Sequence, residues 1–114
     1  MKSVVYELNL ELGYPTVDEA LRRLDNFVSV SRKMKRPVLK IIHGYGSSGK
    51  GGRIRTASRK WLQEHLPDGC DIIRGEDFSI FHEPTRRAFL RCEALRQDRD
   101  LEQCNRGVTF VILS

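Results

Sequence analysis

A histidine leads a run of glycines near the middle of this 114-residue chain, His43-Gly-Tyr-Gly-Ser-Ser-Gly-Lys-Gly-Gly-Arg53. The five glycines are Gly44, Gly46, Gly49, Gly51 and Gly52. Each can bring a backbone N–H close to an anionic group because no Cβ stands in the way. The imidazole adds a proton carrier, a general acid or base, whose ordinary pKa is near 6.5; it could instead donate to a phosphate, or bond to backbone and brace the loop. Lys50, Arg53, Arg55, Arg59 and Lys60 supply cations that could neutralise successive phosphates. Tyr45, inside the loop, could stack on a base or sugar, or pack back on the protein. The chemistry these residue types point to is the gripping of a phosphate-bearing polymer, with proton transfer at His43 as an added capacity.

The surrounding charge pattern supports that reading. No Asp or Glu occurs from Asn26 to Gln63, yet ten of the chain's 20 Lys and Arg fall there. They include Arg32, Lys33, Lys35, Arg36 and Lys40 upstream of the loop. The other ten basic residues share the remainder with all 15 acidic ones, so that part carries −5. A solvated helix is normally laced with both signs; a stretch of one sign is better suited to a polyanion. The alternative is a protein-interaction face for an acidic partner.

The elements that must position these residues follow from periodicity. Val4 to Leu12 alternates apolar and polar residues, a strand with one apolar face. Gly13-Tyr14-Pro15 breaks it. Thr16 and Glu19 have capping-box spacing, and Ala20, Leu21, Leu24, Phe27 and Val28 continue at helical spacing to about residue 31 or 33. Val38–Ile42 reads as a buried parallel strand ending at His43. A second helix is expected from Arg53 or Ile54, with Ile54, Ala57, Trp61 and Leu62 on one face, and Trp61 in the core. Cys70–Arg74 reads as a third strand. Pro84 could open a helix running to Leu95, and Val108–Leu113 is a last strand. The order is β-α-β-α-β-(α)-β. A right-handed crossover makes the first two strands parallel. Ligands in such sheets collect at the C-terminal strand ends. That edge is expected to bring Asn9, Glu11, His43 and the glycine loop together.

The composition, 39% hydrophobic and 31% charged, is that of an ordinary soluble globular protein. The length fits one domain, residues 1–114. No signal peptide and no membrane span is apparent, so a cytoplasmic location and no membrane partner are expected. Cys70, Cys92 and Cys104 are odd in number and lack paired spacing, which reads as reduced thiols. The three His and three Cys show no ligand spacing, so no metal site and no cofactor is assigned.

Two motif readings compete for the loop. Gly44 to Lys50 fits the P-loop pattern GxxxxGK, but Gly51 stands where a Ser or Thr should bind magnesium. The second reading is a family resemblance. Ile41-Ile42-His43-Gly44-Tyr45-Gly46-Ser47, followed by Gly49, Arg53 and Arg55, resembles the HGxGxG…LR signature of the Smr (small MutS-related) domain. Leu8-Asn9-Leu10-Glu11-Leu12-Gly13, followed by Thr16 to Leu21, is similar to the LDLHG…EA segment that opens that domain. The resemblance covers Val4 to Arg74 and, as the last strand, Gly107 to Leu113. Residues 75–106 fall outside it and read as an insertion before the last strand.

The resemblance implies a two-layer α/β sandwich with a four-stranded mixed sheet, like the C-terminal domain of initiation factor three. It implies binding of DNA or RNA, here through His43, Gly44, Tyr45, Gly46, Gly49, Lys50, Arg53, Arg55, Arg59 and Lys60. Several Smr domains also nick or cleave nucleic acid. For this chain that would mean an endonuclease with His43 as general acid or base and Glu11 assisting, and a divalent metal could then take part. The chain departs from the family in its first strand. Asn9 and Glu11 stand where the family has Asp-x-His, and Asn9 cannot ionise. Binding therefore carries over better than cleavage.

Overall fold

Thr16 opens the first helix as the spacing predicts. Its side chain accepts from the Glu19 N–H at 3.2 Å, and the Glu19 carboxylate accepts from the Thr16 N–H at 3.3 Å. The computed structural model describes residues 4–45 and 51–113. Its elements are β1 (Tyr6–Asn9), α1 (Val17–Lys33), β2 (Val38–Ile42), α2 (Gly51–His65), β3 (Asp71–Arg74), α3 (Glu83–Arg91) and β4 (Val108–Ile112). Short 3₁₀ turns at Gly75–Asp77 and Glu93–Gln97 flank α3.

The strands form one mixed sheet in the order β1-β2-β4-β3. β1 and β2 are parallel, and β4 runs antiparallel to both β2 and β3. The C-terminal ends of β1, β2 and β3 therefore share one edge with the start of β4. This is a mixed α/β fold with a four-stranded sheet and three helices.

Alternation along the strands splits the core in two. Leu39, Ile41 and Val111 join Leu24 and Val28 of α1 and Leu62 of α2 on one face. Val38, Ile73, Phe110 and Ile112 join Ala88 and Phe89 of α3 and Leu95 on the other. Phe78 links this second cluster, 4.2 Å from the Phe110 ring and 6.4 Å from Phe89. Residues 75–106 thus cover the sheet face opposite α1 and α2, so the sheet lies between two covering layers.

Several boundaries differ from the sequence expectation. β1 ends at Asn9 rather than Leu12, because the Asn9 side-chain carbonyl accepts from the Glu11 N–H at 2.9 Å and turns the chain. Leu10 stays buried, but Leu12 is exposed. α2 starts at Gly51, ahead of Arg53. The late helix stops at Arg91, since Cys92 adopts an extended conformation (φ −150°) before the 3₁₀ turn. Trp61 is half-buried against the core and stacks on His65, with centroids 4.4 Å apart. All three cysteines are unpaired. Among the described residues no helix is long and apolar enough to cross a membrane.

Candidate functional site

The shared strand edge brings four chain segments together. Asn9 ends β1 and Glu11 lies just beyond it, His43 to Tyr45 follow β2, Gly75 and Glu76 follow Arg74 at the end of β3, and Gly107 leads into Val108 and Thr109 of β4. Two glycines make the approach feasible. Gly44 has φ +72°, and a Cβ there would collide with the Glu11 carboxylate. Gly75 is buried, and a Cβ there would strike the Asn105 carbonyl and Val108. Glu11 therefore does reach the glycine loop, its carboxylate lying against Gly44, while both ring nitrogens of His43 bond to other groups.

The His43 ring is fully buried. Nδ1 lies 2.7 Å from the Gly44 carbonyl oxygen and Nε2 lies 2.8 Å from Thr109 Oγ1. A carbonyl can only accept, so Nδ1 carries the proton and Nε2 accepts from the Thr109 hydroxyl. Thr109 Oγ1 in turn accepts from Arg59 Nε at 2.9 Å. Arg59 completes the chain with a two-pronged bond to Glu76, Nη1 to Oε2 at 3.0 Å and Nη2 to Oε1 at 2.7 Å. The polar path runs from Glu76 through Arg59, Thr109 and His43 to the first peptide of the glycine loop.

Burial lowers the His43 pKa to about 4, and the positive charges of Arg59 and Arg55 push the same way. The hydrogen bond to Gly44 and the Glu76 charge oppose this without overcoming it. At neutral pH the ring is uncharged, with both nitrogens engaged. Such a ring holds the loop entrance in place; to accept a proton it must first release Thr109.

The basic residues divide into two sets. Lys40 is buried in β2 and points to the α3 face, where its Nζ lies 3.0 Å from Asp98 and 2.6 Å from Asp100. Burial alone would depress its pKa; bonds to Asp100 and Asp98 outweigh that and hold it above the usual lysine value. Arg59, expected on the phosphate surface, is drawn inward by Glu76. Burial would raise the Glu76 pKa, but Arg59 holds it below the ordinary glutamate value. By contrast, Arg53, Arg55 and Lys60 pair with no carboxylate among the described residues. Arg55, Lys60, Arg74 and Arg106 line one cleft between α2, the end of β3 and the approach to β4. In it Glu76 is paired with Arg59, and Arg74 bonds Asp77 at 2.8 Å. The remaining charge is positive. Tyr45 is exposed at the same edge. Gly46, Gly49 and Lys50 lie outside the described residues.

The Smr domain family model matches residues 10–82 of the chain. The chain belongs to the Smr domain family. An uncharacterized protein of Treponema pallidum (strain Nichols) is 30% identical over 88 residues, which span 76% of this chain and 39% of that protein. The chain thus spans well under half the length of that relative. In fold it is similar to the Smr domain of Thermus thermophilus MutS2, with a TM-score of 0.56 at 22% identity, covering 96% of this chain and 98% of the other.

Within this Smr domain, Asn9 spends its side chain on the local turn at Glu11. Sequence reasoning missed Glu76, Thr109, Arg74 and Arg106. Two signals were present. Thr109 is the one polar residue in the run Val108 to Leu113, and Glu76 follows the end of a strand at the edge where ligands gather.

Proposed function

We propose that this Smr domain binds nucleic acid by its phosphates, at the edge where the glycine loop, α2 and the approach to β4 meet. The observation that carries the reading is the convergence of Arg55, Lys60 and Arg106 on one cleft without a carboxylate partner among the described residues. Glu76 and Asp77, the acids beside it, are each engaged by an arginine. His43 serves by fixing the Gly44 peptide, which sets where the loop begins. Fluorescence anisotropy of labelled DNA and RNA over a salt series tests this. Affinity should fall steeply with salt, with a slope of about 0.9 for each phosphate contact on duplex DNA. Affinity indifferent to salt would remove the proposal.

Cleavage of the bound strand is a second reading, favoured by the Glu11 carboxylate lying against Gly44 beside His43. Loss of cleavage in Glu11→Gln with binding retained would carry it. Wild-type protein that leaves DNA and RNA intact with each of several divalent metals would remove it.

A further inference from the structure

A second cleft opens at the same edge, lined by Tyr45, Arg99, Asp100, Cys104, Asn105 and Arg106. Arg106 also lines the α2 cleft, so the two adjoin. Apart from Tyr45, its lining comes from residues beyond the stretch that matches the family.

Tyr45 leaves 56% of its surface open to solvent. The two residues before it are anchored, because the His43 and Gly44 N–H groups both donate to the Gly107 carbonyl, at 2.9 and 3.0 Å. The ring lies against Gly107, where a Cβ would stand 3.2 Å from Tyr45 Cδ1. Arg99 and Arg106 are exposed and pair with no carboxylate among the described residues. The acid in this cleft, Asp100, is occupied by Lys40 Nζ at 2.6 Å and Asn105 Nδ2 at 2.8 Å. It is also 7% exposed, so it offsets little of the arginines' charge. An open aromatic ring resting on Gly107 beside an anchored turn, flanked by unpaired cations, is the arrangement on which nucleic-acid bases stack.

We infer that this cleft seats an unpaired nucleotide, its base on Tyr45 and its phosphates at Arg106 and Arg99, so that the domain prefers single strands. The inference rests on the proposed function and deepens it by naming the substrate class. In a duplex each base face is covered by its neighbours, and Tyr45 would meet only sugar and phosphate. In a single strand the face is free. The strand then continues past Arg106 to Arg55 and Lys60, one path through both clefts.

The test is anisotropy at about 50 mM salt with labelled oligo(dT), oligo(U) and a duplex of equal length. Wild type, Tyr45→Ala, Tyr45→Phe and Arg106→Ala are compared, after circular dichroism confirms that each is folded. Wild type should bind a single strand more tightly than the duplex, and the two single strands distinguish DNA from RNA as its source. Tyr45→Ala should weaken single-strand binding roughly 10-fold, as expected for one lost stacked base, with little change on the duplex. Tyr45→Phe should retain the affinity, since stacking needs the ring and not the hydroxyl. Arg106→Ala should weaken both targets and lower the single-strand salt slope by about 0.7. Equal loss on both targets in Tyr45→Ala, no loss on either, or equal damage from Phe and Ala would overturn the inference while leaving phosphate gripping intact. Failure of wild type to bind any of the three probes would overturn both.

Discussion

Lys40 and Arg59 come from the same acid-free stretch as Arg55 and Lys60, yet the two pairs lie in different surroundings. Lys40 is buried on the α3 side of the sheet between Asp98 and Asp100, and Arg59 lies at the α2 side against Glu76. Arg55 and Lys60 face the cleft with no carboxylate partner among the described residues. All three neutralising acids come from residues 75–106. That segment does two jobs at once. It covers the second face of the sheet, and it sends carboxylates to the two cations that the fold draws inward. The inward cations are tied to carboxylates; the outward ones carry no such partner among the described residues.

The comparison is broken most strongly by removing an inward partner. Asp100→Ala leaves Lys40 short of a carboxylate in a buried site and frees Asn105. It should cost about 3–5 kcal/mol in urea unfolding. A cost below about 1 kcal/mol would mean that the Lys40 cluster is no anchor. Glu76→Ala should cost less, about 2–3 kcal/mol, because Arg59 and Glu76 are 17% and 19% exposed and water can partly replace the bond. The same change releases Arg59 toward the cleft, so nucleic-acid affinity should hold or rise as stability drops. A joint loss of affinity and stability would show that the pair itself serves binding.

Acid tests the link between the two sets. The folded-state pKa of His43, about 4, lies below its ordinary value of 6.5. Its contribution to stability is thus complete above about pH 6.5 and is lost as pH falls toward 4. Between pH 7.5 and 5 the loss should be about 2 kcal/mol. Unfolding curves at these pH values check it, and the loss should largely vanish in His43→Gln. The smallest expected effect on stability belongs to the outward set. Arg55→Ala and Lys60→Ala should each change stability by less than about 0.5 kcal/mol. Each should lower the duplex salt slope by about 0.9. Unchanged slopes would remove these residues from the binding surface.

Much of the fold was legible in the chain. Thr16 and Glu19 announced the start of α1, alternation marked the strands, and the β-branched run Val38–Ile42 lay where β2 forms. His43, at the head of the glycine run, marked the strand edge where the candidate site is placed. Its chemistry was less legible. Histidine heading a loop reads equally as acid–base catalyst or as brace, and the partner that holds its ring, Thr109, lies 66 residues away. Arg59 read as a phosphate ligand until Glu76 stood beside it.

What the sequence determined by itself rests on near neighbours: caps, turns, periodicity, and the concentration of positive charge between Asn26 and Gln63. These signals act over a few residues, so order along the chain is enough to read them. What only the tertiary structure decided is which charges meet. Lys40 finds Asp98 across 58 residues, and Arg59 finds Glu76 across 17. The interaction depends on separation in space and on exclusion of water, and neither quantity exists until the strands align and the segment 75–106 closes over the sheet.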